Sequence, residues 1–298
     1  MEASLVHNRN LWSVGGVRNN SKRTATRLAA GVLSCCAVLP TVQAETNATA
    51  DTVTIPIKIR HGDLLVETRI NGSDPMEFKV DTGFGISIIN PRRAESLKLE
   101  RVGHMGIIGI AGEEQAETYK GAVFDFNGKS YEPRSIAALP SEANRRWRTR
   151  DGILGAGFFR RFVVEIDVPG KRMTLWEPEN FVYEGKGEVI PLSFKRDTPI
   201  IDAEIVPEGK RAIKGRFEID TGCDDYVCLG HEFVVANHLL PETDESGRDA
   251  RRGIGGSAEI RSGRLAELHM GKTVVMKPSA NFFMEGSPAG EGQAGTSD

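Results

Sequence analysis

The sequence has little cysteine and histidine, with 4 Cys and 6 His among 298 residues. No pair of them has the short spacing that is typical of zinc ligands. No histidine has the polar neighbours that would indicate a catalytic role. We therefore predict no metal site, no cofactor and no histidine-dependent catalysis.

The sequence also lacks an excess of positive charge. It contains 38 Lys and Arg against 41 Asp and Glu, a formal net charge of −3 at pH 7. Proteins that bind nucleic acids neutralise phosphates with clustered Lys and Arg side chains. The composition therefore predicts no nucleic-acid partner.

Long apolar runs are missing as well, and the longest is the short stretch Leu28–Leu39 near the N-terminus. About a dozen residues are too few to span a bilayer. Basic residues precede this run, and Val42-Gln43-Ala44 has the small-residue pattern of a cleavage site. We predict that residues 1–44 are a signal peptide and that the protein is periplasmic or secreted. A lipoprotein signal ending at Cys35 is disfavoured, because the apolar run before that cysteine is too short.

Two cysteines, Cys223 and Cys228, remain after the predicted signal peptide. They lie five residues apart across a bend, and a disulfide would require their α-carbons to lie within about 7 Å. Because that demand is strict for so short a separation, we favour two buried thiols. The disulfide stays open as the alternative.

What the sequence does contain is a repeated motif, Asp81-Thr82-Gly83 and Asp220-Thr221-Gly222. Each copy follows an apolar run of the same shape, Phe78-Lys79-Val80 or Phe217-Glu218-Ile219. One such tripeptide is often only a turn, but two copies with matching flanks need another explanation. Two neighbouring carboxylates share one proton, so that one can act as a base and the other as an acid.

The residues that follow each copy repeat too, at a separation of 139 residues that suits two similar lobes. Each copy leads into a short helix signal, Asn90-Pro91 or Glu232–His238. About thirty residues after each aspartate comes a glycine-rich turn. The two turns are Gly109-Ile110-Ala111-Gly112 and Gly253-Ile254-Gly255-Gly256.

The first copy is followed by a further segment that the second lacks. Ile153-Leu154-Gly155 precedes a short aromatic helix signal at Phe158–Phe162. A hairpin is then predicted, with strands over Val163–Val168 and Arg172–Trp176. In the second half, the equivalent of Ile153-Leu154-Gly155 would fall near Ala294-Gly295, where no apolar pair precedes the glycine.

With these motifs the chain resembles aspartic proteases of the retropepsin/pepsin clan, in a bacterial two-lobed form. The two Phe-x-apolar-Asp-Thr-Gly motifs, both glycine-rich turns and the Ile-Leu-Gly segment carry the resemblance, which covers roughly residues 53–285. It implies an all-β, bilobal acid-protease fold. The domain order would be a first lobe over 53–176, a linker over 177–186 and a second, incomplete lobe over 187–285. Residues 286–298 are Gly-, Ser- and Ala-rich and predict a disordered tail.

The resemblance also implies a role for each motif. Asp81 and Asp220 would hold a catalytic water between them. The threonines would lock the two loops together, and Gly83 and Gly222 would offer N–H donors to the carboxylates. The glycine-rich turns would be flap tips that close on an extended peptide.

The resemblance therefore predicts an exported aspartic endopeptidase that acts on peptide or protein substrates. Two alternatives remain open: a non-catalytic or vestigial peptide-binding protein, and a homodimer that uses Asp81 from two chains. Pepsin-like members usually carry Ser or Thr after Asp-Thr-Gly, whereas this chain has Phe84 and Cys223. Losing a hydroxyl donor raises a carboxylate's pKa, which predicts a mildly acidic to near-neutral optimum.

Overall fold

The computed structural model describes residues 4–8, 11–14, 52–139, 150–195, 197–223, 225–240 and 248–287. Within these ranges the strands form sheets of 15, 5 and 4 strands, joined by short helices. The all-β, bilobal fold expected from the sequence is confirmed. No helix in the described ranges is long and apolar enough to cross a membrane. The predicted cleavage region at 28–44 and residues 288–298 of the predicted tail lie outside the described residues.

The described residues of the first lobe form twelve strands and two helices. The strands are β3 (Thr52–Arg60), β4 (Asp63–Ile70), β5 (Met76–Val80), β6 (Ile88–Ile89), β7 (Glu100–Gly109), β8 (Gly112–Lys120), β9 (Phe124–Phe126), β10 (Lys129–Tyr131), β11 (Ile136–Ala138), β12 (Gly152–Leu154), β13 (Val163–Asp167) and β14 (Arg172–Trp176). The helices are α1 (Pro91–Ser96) and α2 (Ala156–Arg161). Strands β13 and β14 form the hairpin that the sequence predicted.

The second lobe follows the strand β15 (Glu188–Pro191) and contains nine further strands and one helix among its described residues. The strands are β16 (Ser193–Lys195), β17 (Thr198–Val206), β18 (Ile213–Glu218), β19 (Val227–Leu229), β20 (Arg248–Gly253), β21 (Gly256–Arg264), β22 (Glu267–Met270), β23 (Thr273–Met276) and β24 (Ser279–Phe283). Helix α3 (His231–Ala236) begins one residue before the predicted segment and ends two residues before its end.

The two lobes repeat one order of elements. The nine strands β16–β24 follow the order of β3–β11, and a short helix comes after the fourth strand in each lobe. In both lobes that fourth strand pairs in parallel with the ninth: Ile88 lies opposite Ala137, and Val227 lies opposite Ala280. The matched flanks in the sequence therefore reflect two copies of one architecture.

The repeat ends before β12, which lies between β5 and β6 in the first lobe. β12 runs parallel to β5, with Gly152 opposite Phe78, and antiparallel to β6. In the part of the second lobe that the structure describes, β18 pairs with β17 alone. The strand that carries the second Asp-Thr-Gly thus has one hydrogen-bonded neighbour, where its counterpart has two.

Helix α1 shows how local sequence fixes the chain just after the first motif. Asn90 caps the helix, because its side-chain Oδ1 accepts a hydrogen bond from Arg92 N at 3.0 Å. Pro91 occupies the first helical position, where its missing N–H costs nothing. The helix start predicted from the Asn-Pro pair is therefore confirmed.

Each lobe buries a core of its own. The first core is rich in aromatic side chains, and the rings of Phe126 and Phe158 lie 5.0 Å apart. The second core is more aliphatic and includes Ile205, Leu229 and Val234, all fully buried. Two separate cores allow the lobes to pack as units and leave a cleft between them.

Two N-terminal strands lie between the first lobe and β15 in the large sheet. β1 (Ser4–Asn8) pairs with β13 of the first lobe, and β2 (Leu11–Val14) pairs with β1 and with β15. The predicted linker at 177–186 contains the 3-10 helix Pro178–Asn180 and leads into β15. Both N-terminal strands fall inside the predicted signal peptide, whose removal stays a prediction.

Candidate active site

Asp81 follows directly after β5, at the point where β12 ends beside it. Its backbone N–H donates to the carbonyl oxygen of Leu154 at 3.1 Å. Its side chain turns back on its own loop, where Oδ1 accepts a hydrogen bond from Gly83 N at 3.2 Å. The segment Ile153-Leu154-Gly155 therefore borders the first motif, with Gly155 N donating to Ser87 Oγ at 3.1 Å.

Asp220 lies two residues after the end of β18 and makes the same local contact. Gly222 N donates to Asp220 Oδ1 at 2.7 Å. The preceding residue, Ile219, is held by a hydrogen bond from its N–H to Pro199 O at 2.9 Å. The two aspartate loops thus share one conformation, as their shared sequence predicts.

The two threonines interlock the loops through a symmetric set of hydrogen bonds. Thr82 N donates to Thr221 Oγ1 at 3.1 Å, and Thr221 N donates to Thr82 Oγ1 at 3.0 Å. Each hydroxyl in turn donates to a carbonyl of the other lobe, Thr82 to Ile219 at 2.5 Å and Thr221 to Val80 at 3.1 Å. Four hydrogen bonds therefore hold the two motifs in one fixed relation.

Each motif glycine packs against the aspartate of the opposite motif. A Cβ added to Gly83 would lie 2.6 Å from Asp220 Cγ, and one added to Gly222 would lie 2.2 Å from Asp81 Cγ. No side chain fits at such distances, so glycine is required by space rather than by backbone angle. This close approach brings the two carboxyl groups together.

Burial and the neighbouring carboxylate change the acidity of Asp81. Burial raises the pKa of Asp81 well above its usual range, and the negative charge of Asp220 raises it further. A hydrogen bond between the two carboxyl groups acts in the same direction, while Lys79 and the N–H of Gly83 act against it. The pair therefore retains a proton at a pH where an isolated aspartate is ionised.

Lys79 is a site residue that sequence reasoning missed. Its buried Nζ donates to Gly222 O at 2.5 Å and lies 2.9 Å from Asp63 Oδ1 and 3.7 Å from Asp81 Oδ2. Asp63 also pairs with Arg150, at 2.6 Å from Nη2 to Oδ2. Burial opposes ionisation of Asp63, but the two cations lower its pKa overall. The signal in the sequence was a lysine within a buried strand directly before the motif.

Glu218 occupies the position in β18 that Lys79 occupies in β5, with the opposite charge. Burial raises the pKa of Glu218 to about 9, and the charges of Asp220 and Asp81 add to this effect. Lys195 acts in the other direction. The site is therefore asymmetric: a cation flanks one aspartate, and a carboxyl group that keeps its proton flanks the other.

The two glycine-rich turns form the tips of hairpins, β7–β8 in the first lobe and β20–β21 in the second. The tips meet each other. Ala111 N donates to Ile254 O at 3.2 Å, and Gly255 N donates to Glu114 Oε1 at 3.0 Å. A Cβ added to Gly255 would lie 2.3 Å from Gly112 N, so the backbones touch. Both predicted flaps thus lie over the same cleft between the lobes.

The cleft between the lobes has a volume of about 1470 Å³. Its lining includes both motif aspartates, both flap tips and residues of both lobes, among them Phe84, Ile108, Tyr226 and Ile254. The cleft is larger than a typical small-ligand pocket, which has roughly 300–1,000 Å³. Its size and position suit an extended chain lying beneath the flaps.

Phe84 and Cys223, the residues after the two motifs, differ in their contacts. Phe84 lies against the cluster of Ile88 and Ile107 near the first flap. Cys223 lies beside Cys228 in the second lobe, with the two sulfurs 3.5 Å apart and both cysteines free. These sulfurs and a carboxylate oxygen of Asp225 lie within 4.8 Å of one another. The predicted absence of a metal site stays a prediction.

One comparison with known proteins identifies a family over part of the first lobe. Residues 66–158 match the family model described as aspartyl protease, a range that contains Asp81, the first flap and Ile153-Leu154-Gly155. The crystal structure of a retropepsin-like aspartic protease from Rickettsia conorii is similar at 18% identity and a TM-score of 0.30, covering 42% of this chain and 89% of that one. A comparison with curated proteins gave no match. The family match supports a protease function for the chain.

Proposed function

We propose that the protein is an exported aspartic endopeptidase in which one chain supplies both catalytic carboxylates. The interlocked threonines carry this proposal. They join Thr82 and Thr221 across the lobes and so bring Asp81 and Asp220 to one point beneath the flaps. That arrangement gives the chain an acid and a base without a second subunit.

In the proposed reaction, a water molecule lies between the two carboxyl groups, which share one proton. The ionised carboxylate accepts a proton from the water as its oxygen attacks the peptide carbonyl carbon. The protonated carboxyl group donates its proton to the carbonyl oxygen. As the tetrahedral intermediate collapses, one of its hydroxyl groups gives its proton to the ionised carboxylate, the protonated carboxyl group donates its proton to the amine nitrogen, and the C–N bond breaks. The pair again carries one proton. No covalent bond to the enzyme forms.

The neighbours of the pair would keep it in the reactive state. The N–H groups of Gly83 and Gly222 orient the carboxylates by donating to one oxygen of each. Lys79 favours the ionised form of Asp81, while burial favours the protonated form. These opposing effects support a pair that carries a single proton over a range around neutral pH.

The substrate would be a peptide segment in extended conformation. The cleft runs between the lobes, and the two flap tips form one side of it. An extended peptide can form backbone hydrogen bonds with flap strands, as in strand addition to a sheet edge. The tips contact each other in this structure, so they must open for a peptide to enter.

The decisive experiment is peptide hydrolysis by wild type and by the Asp81→Asn and Asp220→Asn variants, with and without a pepstatin-type inhibitor. We expect hydrolysis by wild type that the inhibitor blocks, and loss of activity in both variants by at least about 10³-fold. Circular dichroism of each variant checks that the fold is intact.

The alternatives predict different results. Full activity of Asp220→Asn together with loss in Asp81→Asn would indicate a homodimer of first lobes. A folded wild type that binds peptides but hydrolyses none of them would indicate a binding protein.

Export is the second part of the proposal, and the basic and apolar pattern within residues 1–44 supports it. We expect the protein in the periplasmic or extracellular fraction, with an N-terminus at Glu45. N-terminal sequencing of the fractionated protein measures this. Retention of residues 1–44 in a cytoplasmic fraction would contradict it.

A further inference from the structure

Cys223 and Cys228 form a close pair of thiols beside the second aspartate loop. Their sulfurs are 3.5 Å apart, both are partly buried, and both line the cleft. Cys223 directly follows Asp220-Thr221-Gly222, and its N–H donates to Asp220 O at 3.3 Å. Cys228 lies in β19, the strand to which this loop leads.

The 139-residue repeat gives these positions a counterpart in the first lobe, where Phe84 and Ile89 stand. There the loop is fastened at the same two points by the chain around β12. Phe84 O accepts a hydrogen bond from Ala156 N at 2.5 Å, and Ile89 pairs with Gly152. In the described part of the second lobe no strand takes the place of β12. The two cysteines thus stand where the first lobe fastens its loop.

We propose that Cys223 and Cys228 form a reversible disulfide that fastens the Asp220 loop to β19. It would take the place that β12 has in the first lobe. A bond requires the sulfurs to approach from their present separation to about 2.05 Å, a small movement for a loop. Reduction would release the loop and increase its motion.

The environment of the pair assigns a role to each sulfur. A hydrogen bond from Cys228 lowers the pKa of Cys223, whereas that contact and burial raise the pKa of Cys228. The nearby carboxylates of Asp220 and Asp225 oppose ionisation of Cys223, and Asp225 is itself paired with Arg251. Cys223 is therefore the sulfur that ionises first and attacks an oxidant.

A small-molecule disulfide such as oxidised glutathione completes the reaction. The Cys223 thiolate attacks one glutathione sulfur, the S–S bond of the oxidant breaks, and one glutathione thiolate leaves. Cys228 then loses its proton to solvent and attacks the Cys223 sulfur, which releases the second glutathione thiolate. Two electrons pass from the cysteine pair to the oxidant.

A metal ion is the competing occupant of this cluster. A structural zinc site needs four ligands, and the cluster offers three among the described residues: the two sulfurs and an oxygen of Asp225. The Asp225 carboxylate is already bound by Arg251. The cluster therefore fits a dithiol better than a zinc site.

The sequence offers a clean way to measure the bond in the full chain. Tryptic cleavage after Arg216 and Arg248 yields one peptide, 217–248, that contains both cysteines, while Cys35 and Cys36 lie in peptide 28–58. After equilibration of the protein with oxidised glutathione, free thiols are alkylated, the protein is digested, and the peptide masses are measured by mass spectrometry. In oxidised glutathione we expect peptide 217–248 to carry no alkyl group and to be two hydrogen atoms lighter than the reduced, unmodified peptide. In reduced glutathione we expect both of its cysteines to be alkylated.

Hydrogen exchange and thermal unfolding measure what the bond does. Oxidation should slow amide exchange in residues 219–229 by about tenfold, with residues 80–90 of the first lobe as the internal control. The Tm should rise by about 5 °C. A Cys223→Ser/Cys228→Ser variant should show neither effect. These measurements do not involve peptide hydrolysis, so they stand or fall separately from the proposed protease function.

Three outcomes would overturn the proposal. The first is that peptide 217–248 keeps two free thiols in oxidised glutathione. The second is a disulfide that forms without slowing exchange in residues 219–229. The third is protection of both thiols from alkylation by zinc alone in reduced glutathione, which would identify a metal site.

Discussion

At the scale of single residues, the two aspartates of the site have unlike neighbours despite their repeated surroundings. Lys79 reaches across to the second loop and lies 3.7 Å from an oxygen of Asp81. Glu218, at the equivalent position, brings a carboxyl group toward the same pair. The repeat therefore places unlike charges at one equivalent position beside the pair, and Lys79 lowers the pKa of Asp81 against the raising effects of burial and Asp220.

Replacing Lys79 by methionine should shift the pH dependence of activity. The cation lowers the pKa of Asp81, so its removal raises that pKa and the pair keeps its proton to higher pH. We expect a wild-type optimum between mildly acidic and neutral pH, and both limbs of the kcat/KM profile about one unit higher in Lys79→Met. Lys79→Arg keeps the charge and serves as the control. Superimposable profiles for wild type and Lys79→Met would refute this role.

Glu218 should make the folded protein less stable as the pH rises. Its pKa is raised to about 9 in the folded state, so the folded state holds a proton that the unfolded state releases above its ordinary pKa. Between that pKa and about 9, stability falls by up to about 1.4 kcal/mol per pH unit. Urea unfolding should therefore show a stability gain for Glu218→Gln that grows from pH 5 to pH 8. The exposed Glu208→Gln is the control, and parallel pH curves for Glu218→Gln and wild type would contradict the assignment.

At the scale of elements, the hairpins β7–β8 and β20–β21 act as a pair because their tips touch. Ordinary hairpins end in solvent, whereas here Gly255 lies against the backbone of Gly112. Gly255 has φ of +84°, where a side chain is strained, and the approach leaves no room for a Cβ. The glycines in the sequence thus mark a contact between elements as well as two turns.

Gly255→Ala should push the flap tips apart. In the proposed protease the flaps close over the substrate, so the variant should bind peptides more weakly, with KM raised by roughly tenfold, about 1.4 kcal/mol, and kcat less affected. Steady-state kinetics separates the two constants. Gly209→Ala has a similar positive φ with open space around it, so it controls for backbone strain. An unchanged KM in Gly255→Ala would show that contact between the tips does not affect binding.

At the scale of the whole molecule, the two lobes meet through contacts that join residues about 139 positions apart. Thr221→Val removes the acceptor for Thr82 N and the donor to Val80 O. Leaving a buried donor unsatisfied should lower the free energy of unfolding by about 1–3 kcal/mol. Urea denaturation measures the loss, and Thr221→Ser, which retains the hydroxyl, should stay near wild type. Equal stability of the valine and serine variants would refute the interlock.

The second lobe should be the less stable half. β18 has one paired neighbour among the described strands, whereas β5 has two. Fewer paired neighbours leave backbone hydrogen bonds easier to open, so hydrogen exchange should be faster in residues 187–285 than in 53–176. Equal protection would mean that another segment or another chain covers β18.

The sequence by itself determined the architecture and the identity of the paired motifs. Three of its features are local patterns: Phe-x-apolar-Asp-Thr-Gly, the helix start at Asn90 and the glycine-rich turns. A local pattern depends on neighbouring residues, so the same residues form the same local structure at each copy. The apolar run, turn and cap around each aspartate therefore predict the same loop in both lobes. The separation of 139 residues then predicts two lobes.

Only the tertiary structure decided what surrounds the pair. Three contacts join one lobe to the other: Lys79 approaches Gly222, the flap tips meet, and Gly83 packs against Asp220. No periodicity or spacing within either lobe encodes such contacts, because they depend on how two separately folded cores pack together. The pairing of Cys223 with Cys228 depends in the same way on the bend that the second loop adopts.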